Sequence, residues 1–212
     1  MNKLSSLVVA VGLLFANSAS AAVHTYEFGG APINGTGNTS AINFATLIID
    51  DVTNLFTLSL GNLAALGPNA MATGLAVSYS GSIPAISNVS GGVAAVNTTN
   101  APAPAGAFSF GFNIGAGGNQ PQSMLTSGEM VTWNATDFNL SQLTTVTPIN
   151  ALNFYGGSFA LRIQGTGQGS DGNGWYGGTI AAVPEPETYA MMLAGLGLIG
   201  FVGMRRREKS CS

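Results

Sequence analysis

Only one cysteine, one histidine and six Lys or Arg residues occur among the 212 residues, and charged side chains make up 7% of the chain. Each shortage excludes something. The lone Cys211 lies in the last residues, so the body of the chain has no disulfide and must rely on packing. A single histidine, His24, leaves no catalytic triad and no His-rich transition-metal site. Five of the six cations sit in the two end segments: Lys3, Arg205, Arg206, Arg207 and Lys209. Residues 22–182 therefore hold Arg162 against six acids, Glu27, Asp50, Asp51, Glu129, Asp137 and Asp171, a formal balance of −5. Such a surface cannot neutralise phosphates, which excludes nucleic acid as a partner.

The longest uncharged apolar runs that read as export signals lie at the two ends. Lys3 precedes the run Leu7–Phe15, and Ala19-Ser20-Ala21 supplies small residues at the two positions a signal peptidase reads. This predicts a signal peptide over 1–21, cleaved after Ala21. At the other end, Val183-Pro184-Glu185-Pro186-Glu187-Thr188 is followed by the uncharged run Tyr189–Met204 and then by Arg205-Arg206-Arg207. The prolines fix φ and keep their segment extended and accessible. The apolar run makes a helix of about 24 Å at 1.5 Å per residue, short of a ~30 Å hydrocarbon core by an amount that snorkelling arginines cover. The arginines stop transfer and hold their end in the cytoplasm.

This tripartite tail resembles the PEP-CTERM sorting signal of exported bacterial proteins, on Val183, Pro184, Glu185, Pro186, the apolar run and Arg205–Arg207. The resemblance implies processing by an exosortase-like membrane protease and delivery to the cell surface or exterior, with transient anchoring by the helix (189–204) ahead of the basic tail (205–212). It implies association with surface glycoproteins and exopolysaccharide, and from this an extracellular-matrix or biofilm setting is the expectation. Tails of this kind also carry an ice-binding label, which names no activity. Exported proteins with this tail resemble the present chain in a second, looser way: a strand such as Gly157–Gly165 precedes a Gly/Ser-rich turn and Trp175.

The intervening exported domain, residues 22–182, is rich in Gly, Ala, Ser, Thr and Asn, with short apolar runs. Phe108, Phe110, Phe112 and Ile114 alternate with Ser109, Gly111 and Asn113, the period of a half-buried strand. Phe159, Leu161 and Ile163 repeat the pattern, with Ala160, Arg162 and Gln164 outward. Asn43–Ile49 and Leu55–Leu60 flank a hairpin connection from Asp50 to Asn54. Further strands are expected at His24–Phe28, Leu75–Ser80, Glu129–Asn134, Asp137–Leu140 and Trp175–Ala181. A short helix is expected over Asn62–Ala72, and Asn97–Gly106, with two Ala-Pro steps, reads as a loop. Many short strands with turn residues between them predict a mainly β fold, an antiparallel β-sandwich or jelly roll.

Chemistry-bearing residues are few, and they point to a non-enzyme with no cofactor and no catalytic residue. The acids Glu129 and Asp137 would have to meet across strands to act as a glycosidase pair. Asp50 and Asp51 suit a turn. Asp171 and Asn173, in Asp-Gly-Asn-Gly, have the start of a calcium loop but lack its closing glutamate. Trp175 and Tyr176, with Tyr26 and Tyr155, are candidates for stacking on sugar rings, whereas Trp133 suits the core. Thr145-Val146-Thr147 is a single Thr-x-Thr, too little for an ice-binding array. Six Asn-x-Ser/Thr sequons start at Asn34, Asn38, Asn88, Asn97, Asn134 and Asn139. The expectation is a structural or adhesive surface protein contacting exopolysaccharide, the alternative a calcium-dependent carbohydrate-binding module, and the remoter ones an ice-binding protein or a glycan hydrolase.

Overall fold

Period-2 alternation builds this molecule almost throughout. The computed structural model describes residues 23–100, 108–115, 124–146, 157–167, 172–181 and 195–196. Its strands are β1 (Val23–Gly30), β2 (Asn34–Gly35), β3 (Ser40–Asp50), β4 (Leu55–Leu60), β5 (Met71–Val77), β6 (Ala85–Gly91), β7 (Val96–Asn100), β8 (Phe110–Ile114), β9 (Met130–Thr136), β10 (Phe159–Gln164) and β11 (Asn173–Ile180). The main path of the sheet runs β6-β9-β4-β3-β1-β11-β10-β5-β8-β7, with β2 paired to β11 off that path. Every pairing among these strands is antiparallel, as expected. The sandwich is realised as one continuous sheet, nearly closed on itself, whose end strands β6 and β7 lie near each other.

Two halves of this sheet face each other across an aromatic interior. Phe56 on β4 stacks on Trp133 of β9 with centroids 5.3 Å apart and meets Phe112 of β8 edge-on at 5.4 Å. Phe138 closes one end of the cluster, 4.9 Å from both Phe56 and Tyr79. Leu47, Ile49, Leu58, Leu75, Leu161 and Ile163 fill the remainder and are fully buried or nearly so. Fully burying side chains of this size is worth about 1.5–3 kcal/mol each, which a domain without disulfides needs.

A second, smaller cluster covers part of the outer face. Ile33, Ala76, Phe108, Val146, Ala160 and Trp175 pack together there. Phe108 thus departs from the expected face: it precedes β8 and joins Trp175, while Phe110, Phe112 and Ile114 point inward. The cause is local. The Ser109 N–H donates to the Val77 carbonyl at 2.9 Å and its hydroxyl accepts from the Tyr79 N–H at 3.0 Å, so the ladder starts only after Ser109. Ala160 does face outward, yet it is buried because this cluster covers it.

Turn chemistry explains both the agreements and the departures. In the β3–β4 hairpin the Asp50 carboxylate accepts from the N–H of Val52 at 2.9 Å and of Thr53 at 3.0 Å, and Asn54 takes φ 52°, a conformation asparagine tolerates. No helix forms over Asn62–Ala72. A single turn closes from Leu66 N–H to Leu63 C=O, Gly67-Pro68 ends it, and β5 begins at Met71. Asp137–Leu140 is likewise not a strand: Asp137 at φ 64° ends β9, and Asn139 caps a 3₁₀ turn, Leu140–Gln142. Asn97–Asn100 belongs to β7 and not to a loop; residues 101–107 lie outside the described residues.

The chain divides into two units, Met1–Ile180 and Ala181–Ser212. Of the second, Ala181 and the helical pair Gly195–Leu196 are described, so the expected span Tyr189–Met204 otherwise lies outside the described residues. Among the described residues no helix is long and apolar enough to cross a membrane.

Candidate functional site: the sorting junction and the outer face

The first and last strands of the sheet are neighbours. β1 and β11 pair antiparallel in the register Tyr26↔Ile180, Glu27↔Thr179 and Phe28↔Gly178. The start of β1 at Val23 and the end of β11 at Ile180 therefore lie at the same end of the sheet. Tyr26 is locked there by an edge-on contact with Phe159, centroids 4.6 Å apart, and burial raises its phenol pKa above the usual value. Val23 follows the expected cleavage position by two residues, and Ile180 precedes residue 182 by the same short step.

From that residue onward the chain matches a family model. Residues 182–207 match the PEP-CTERM protein-sorting motif. This chain carries a PEP-CTERM sorting signal. It is thereby an exported protein sorted to the cell envelope, and the enzyme that processes such signals is exosortase, a membrane protein. No curated protein and no solved structure matches the chain. The motif residues Val183, Pro184, Glu185, Pro186 and Arg205–Arg207 lie outside the described residues, as do Ala19 and Ala21.

The expected ligand-binding residues are distributed less favourably. Trp175 and Tyr176 do not offer their rings to solvent: Trp175 is 6% exposed and Tyr176 0%. Adjacent strand residues face opposite ways, so Trp175 enters the outer cluster and Tyr176 the interior, edge-on to Phe44 at 5.0 Å. The Tyr176 hydroxyl donates to the Asn38 carbonyl at 2.7 Å, and burial pushes its phenol up to about 12. Tyr26 is also buried, Trp133 is in the core as expected, and Tyr155 lies outside the described residues. Asp171 is outside as well; Asn173 opens β11 and is exposed. Among the described residues no group of three or more His, Cys, Asp or Glu side chains is placed to hold a metal.

The acids are not brought together as a glycosidase pair. Glu129 and Asp137 flank opposite ends of β9, which at ~3.3 Å per residue separates them by more than about 20 Å. Retaining and inverting pairs need roughly 5–9.5 Å. The Glu129 carboxylate instead accepts from the Thr126 N–H at 2.6 Å and hydroxyl at 2.9 Å, closing a turn. Asp50 serves the hairpin, and the Thr53 N–H is the main cause holding its carboxyl below the usual range. Asp51 and Asp137 both line an open surface cleft beside Phe138, Asn139, Leu140 and Ser141.

Most sequon asparagines have structural work. Asn38 donates to the Leu66 carbonyl, Asn88 to the Asn134 side chain, Asn134 to the Thr53 carbonyl, and Asn139 accepts from Ser141. Asn34 and Asn97 are exposed. The residue that sequence reasoning left without a role is Arg162. It lies half-buried on the outer face of β10, and its buried Nε has no hydrogen-bond partner.

Proposed function

We propose that the chain is a non-enzymatic extracellular-matrix or cell-surface protein, structural or adhesive in role, released from its signal peptide and then processed at its PEP-CTERM signal. The carrying observation is the two-residue step from the end of β11 at Ile180 to the first residue of the sorting motif, residue 182. It supports the sheet itself being the cargo of the signal, with Ala181 the one residue between them. Supporting it, the exported portion has few charges and many hydroxyl and amide side chains, a composition suited to weak, repeated contacts with hydrated polysaccharide.

Intact mass and cell fractionation of the native protein, with and without alanines at Pro184, Glu185 and Pro186, test this reading. The expected result is loss of both end segments and a surface or medium location that depends on those three residues. An intact C-terminus held in the inner membrane, unchanged by the alanines, would overturn it.

A further inference from the structure

Strand pairing aligns a set of polar residues that are scattered in sequence. On the outer face, Asn97 of β7 pairs with Asn113 of β8, Asn113 with Gly74 of β5, Gly74 with Arg162 of β10, Arg162 with Trp175 of β11, and Trp175 with Asn34 of β2. Paired residues share a face, so these six form one line across the sheet. At ~4.8 Å per strand it is about 24 Å long, with a spacing comparable to the rise per sugar in an extended glycan. Asn97, Asn113 and Asn34 are exposed, Arg162 is half-buried, and its two neighbours in the line, Gly74 and Trp175, are buried.

The middle of the line has the character of a receptor. Arg162 is the only Lys or Arg between residues 22 and 182, and among the described residues it is the only cation of that kind. Its Nε is buried with no partner, although a donor hidden from water ordinarily has one. One neighbour in the line is Gly74, which has no side chain to cover the guanidinium, and the Arg162 Cβ lies 4.0 Å from where a Gly74 Cβ would stand. The other is Trp175, whose apolar ring lowers the local dielectric and strengthens a charge-assisted bond. None of the five described acids occupies the line: Glu27 is on β1, Asp50 and Asp51 are at the β3–β4 hairpin, and Glu129 and Asp137 are at the ends of β9.

We propose that this line is a binding site for an acidic oligosaccharide. Arg162 takes a sugar carboxylate through its two terminal Nη groups, since its Nε is hidden from water, and Asn113 and Asn97 hydrogen-bond to hydroxyls of sugars further along the chain. This deepens the matrix reading and rests on it for its biological setting. It also names what that composition argument does not: the charge class of the ligand and the residue that selects it.

Calorimetric titration of the full chain in detergent, with a tetrameric oligouronate and with the carboxyl-reduced, neutral form of the same tetramer, tests the site. The uronate is expected to bind about tenfold or more tightly than the neutral tetramer, and Arg162→Gln is expected to remove that preference. Arg162→Lys keeps the charge without the fork and should recover only part of it. Asn113→Ala, at an exposed position that the fold does not need, should weaken uronate binding about threefold or more at unchanged melting temperature. This keeps the test decisive if an Arg162 variant misfolds. Equal binding of the two tetramers, no uronate binding up to about 1 mM, or unaltered binding by Asn113→Ala would overturn the proposal. Uronate binding by a protein that is never retained at the surface or in the matrix would overturn the matrix reading and leave the site standing.

Discussion

Phe112 and Trp133 meet with ring centroids 5.2 Å apart, although their strands, β8 and β9, stand ninth and second along the ten-strand path of the sheet. No backbone pairing links these two strands; the contact crosses the interior. It is one of the places where the rolled sheet is held shut by side chains alone, together with Phe56 against Phe112. Closure therefore depends on aromatic volume at a few positions.

Phe112→Ala is expected to lower unfolding free energy by about 3–5 kcal/mol, because the cavity opens between the facing halves where neither backbone can collapse into it. Urea denaturation of the variant checks this. A loss below about 1 kcal/mol would mean that the two halves do not depend on each other there.

Gly165 ends β10 at φ 71°, and a Cβ there would run into the Asn69 carbonyl. Gly165→Ala should therefore cost about 2 kcal/mol or more, combining left-handed backbone strain with the clash. The same substitution at Gly30, also at positive φ but with open space around it, should cost only the backbone share. A pair of thermal melts separates the two contributions.

Tyr176 predicts an alkaline effect with a definite sign. Its phenol titrates at about 12 in the folded protein against an ordinary value near 10, so the unfolded chain ionises first. Stability is intact below pH ~10 and falls as the pH climbs from there towards the folded value. Tyr176→Phe should cost about 1–2 kcal/mol at pH 7, through the lost bond to the Asn38 carbonyl. That deficit should shrink by pH 11, where only the parent pays the ionisation penalty. A constant deficit across the range would contradict the assignment.

Asp50 predicts the opposite limb. Its folded carboxyl titrates below the ordinary value, held mainly by the Thr53 N–H, so its contribution is present above pH ~4 and is lost as the pH falls through the depressed folded value. Asp50→Asn should therefore melt below the parent at pH 6 and approach it in stronger acid. Melting curves at the two pH values settle the point, and a deficit that grows in acid would refute it.

How much of this was readable beforehand depended on how far the chain signals itself locally. The β3–β4 hairpin was legible because Asp50 and Asn54 bracket a turn between two alternating runs. β6 was not, because a bulge between Ser87 and Ser90, with Asn88 at φ 52°, puts its half-buried Ile86 and Val89 three residues apart and hides the period. Trp175 and Tyr176 invited an exposed reading by their glycine-rich surroundings, yet they are covered by residues far away in sequence, Phe108 and Phe44 among others. The Arg162 line was invisible for the same reason: its members come from six strands, and only register aligns them. The sorting signal was the converse case, a linear code complete within residues 182–207.

The adjacency of β1 and β11 also has a consequence in time. A chain that enters its destination amino end first delivers β1 at the outset and β11 last, yet β11 is the strand that joins β1 to β10 and so unites the two halves of the sheet. The backbone ladder between the two halves is therefore complete only once Ile180 has arrived, with the sorting motif following directly behind it. Among the described residues the last ladder position is Ile180, opposite Tyr26, so a cut beyond residue 181 severs none of the described strand pairings. The described ladder can thus part from its address and keep every one of its pairings.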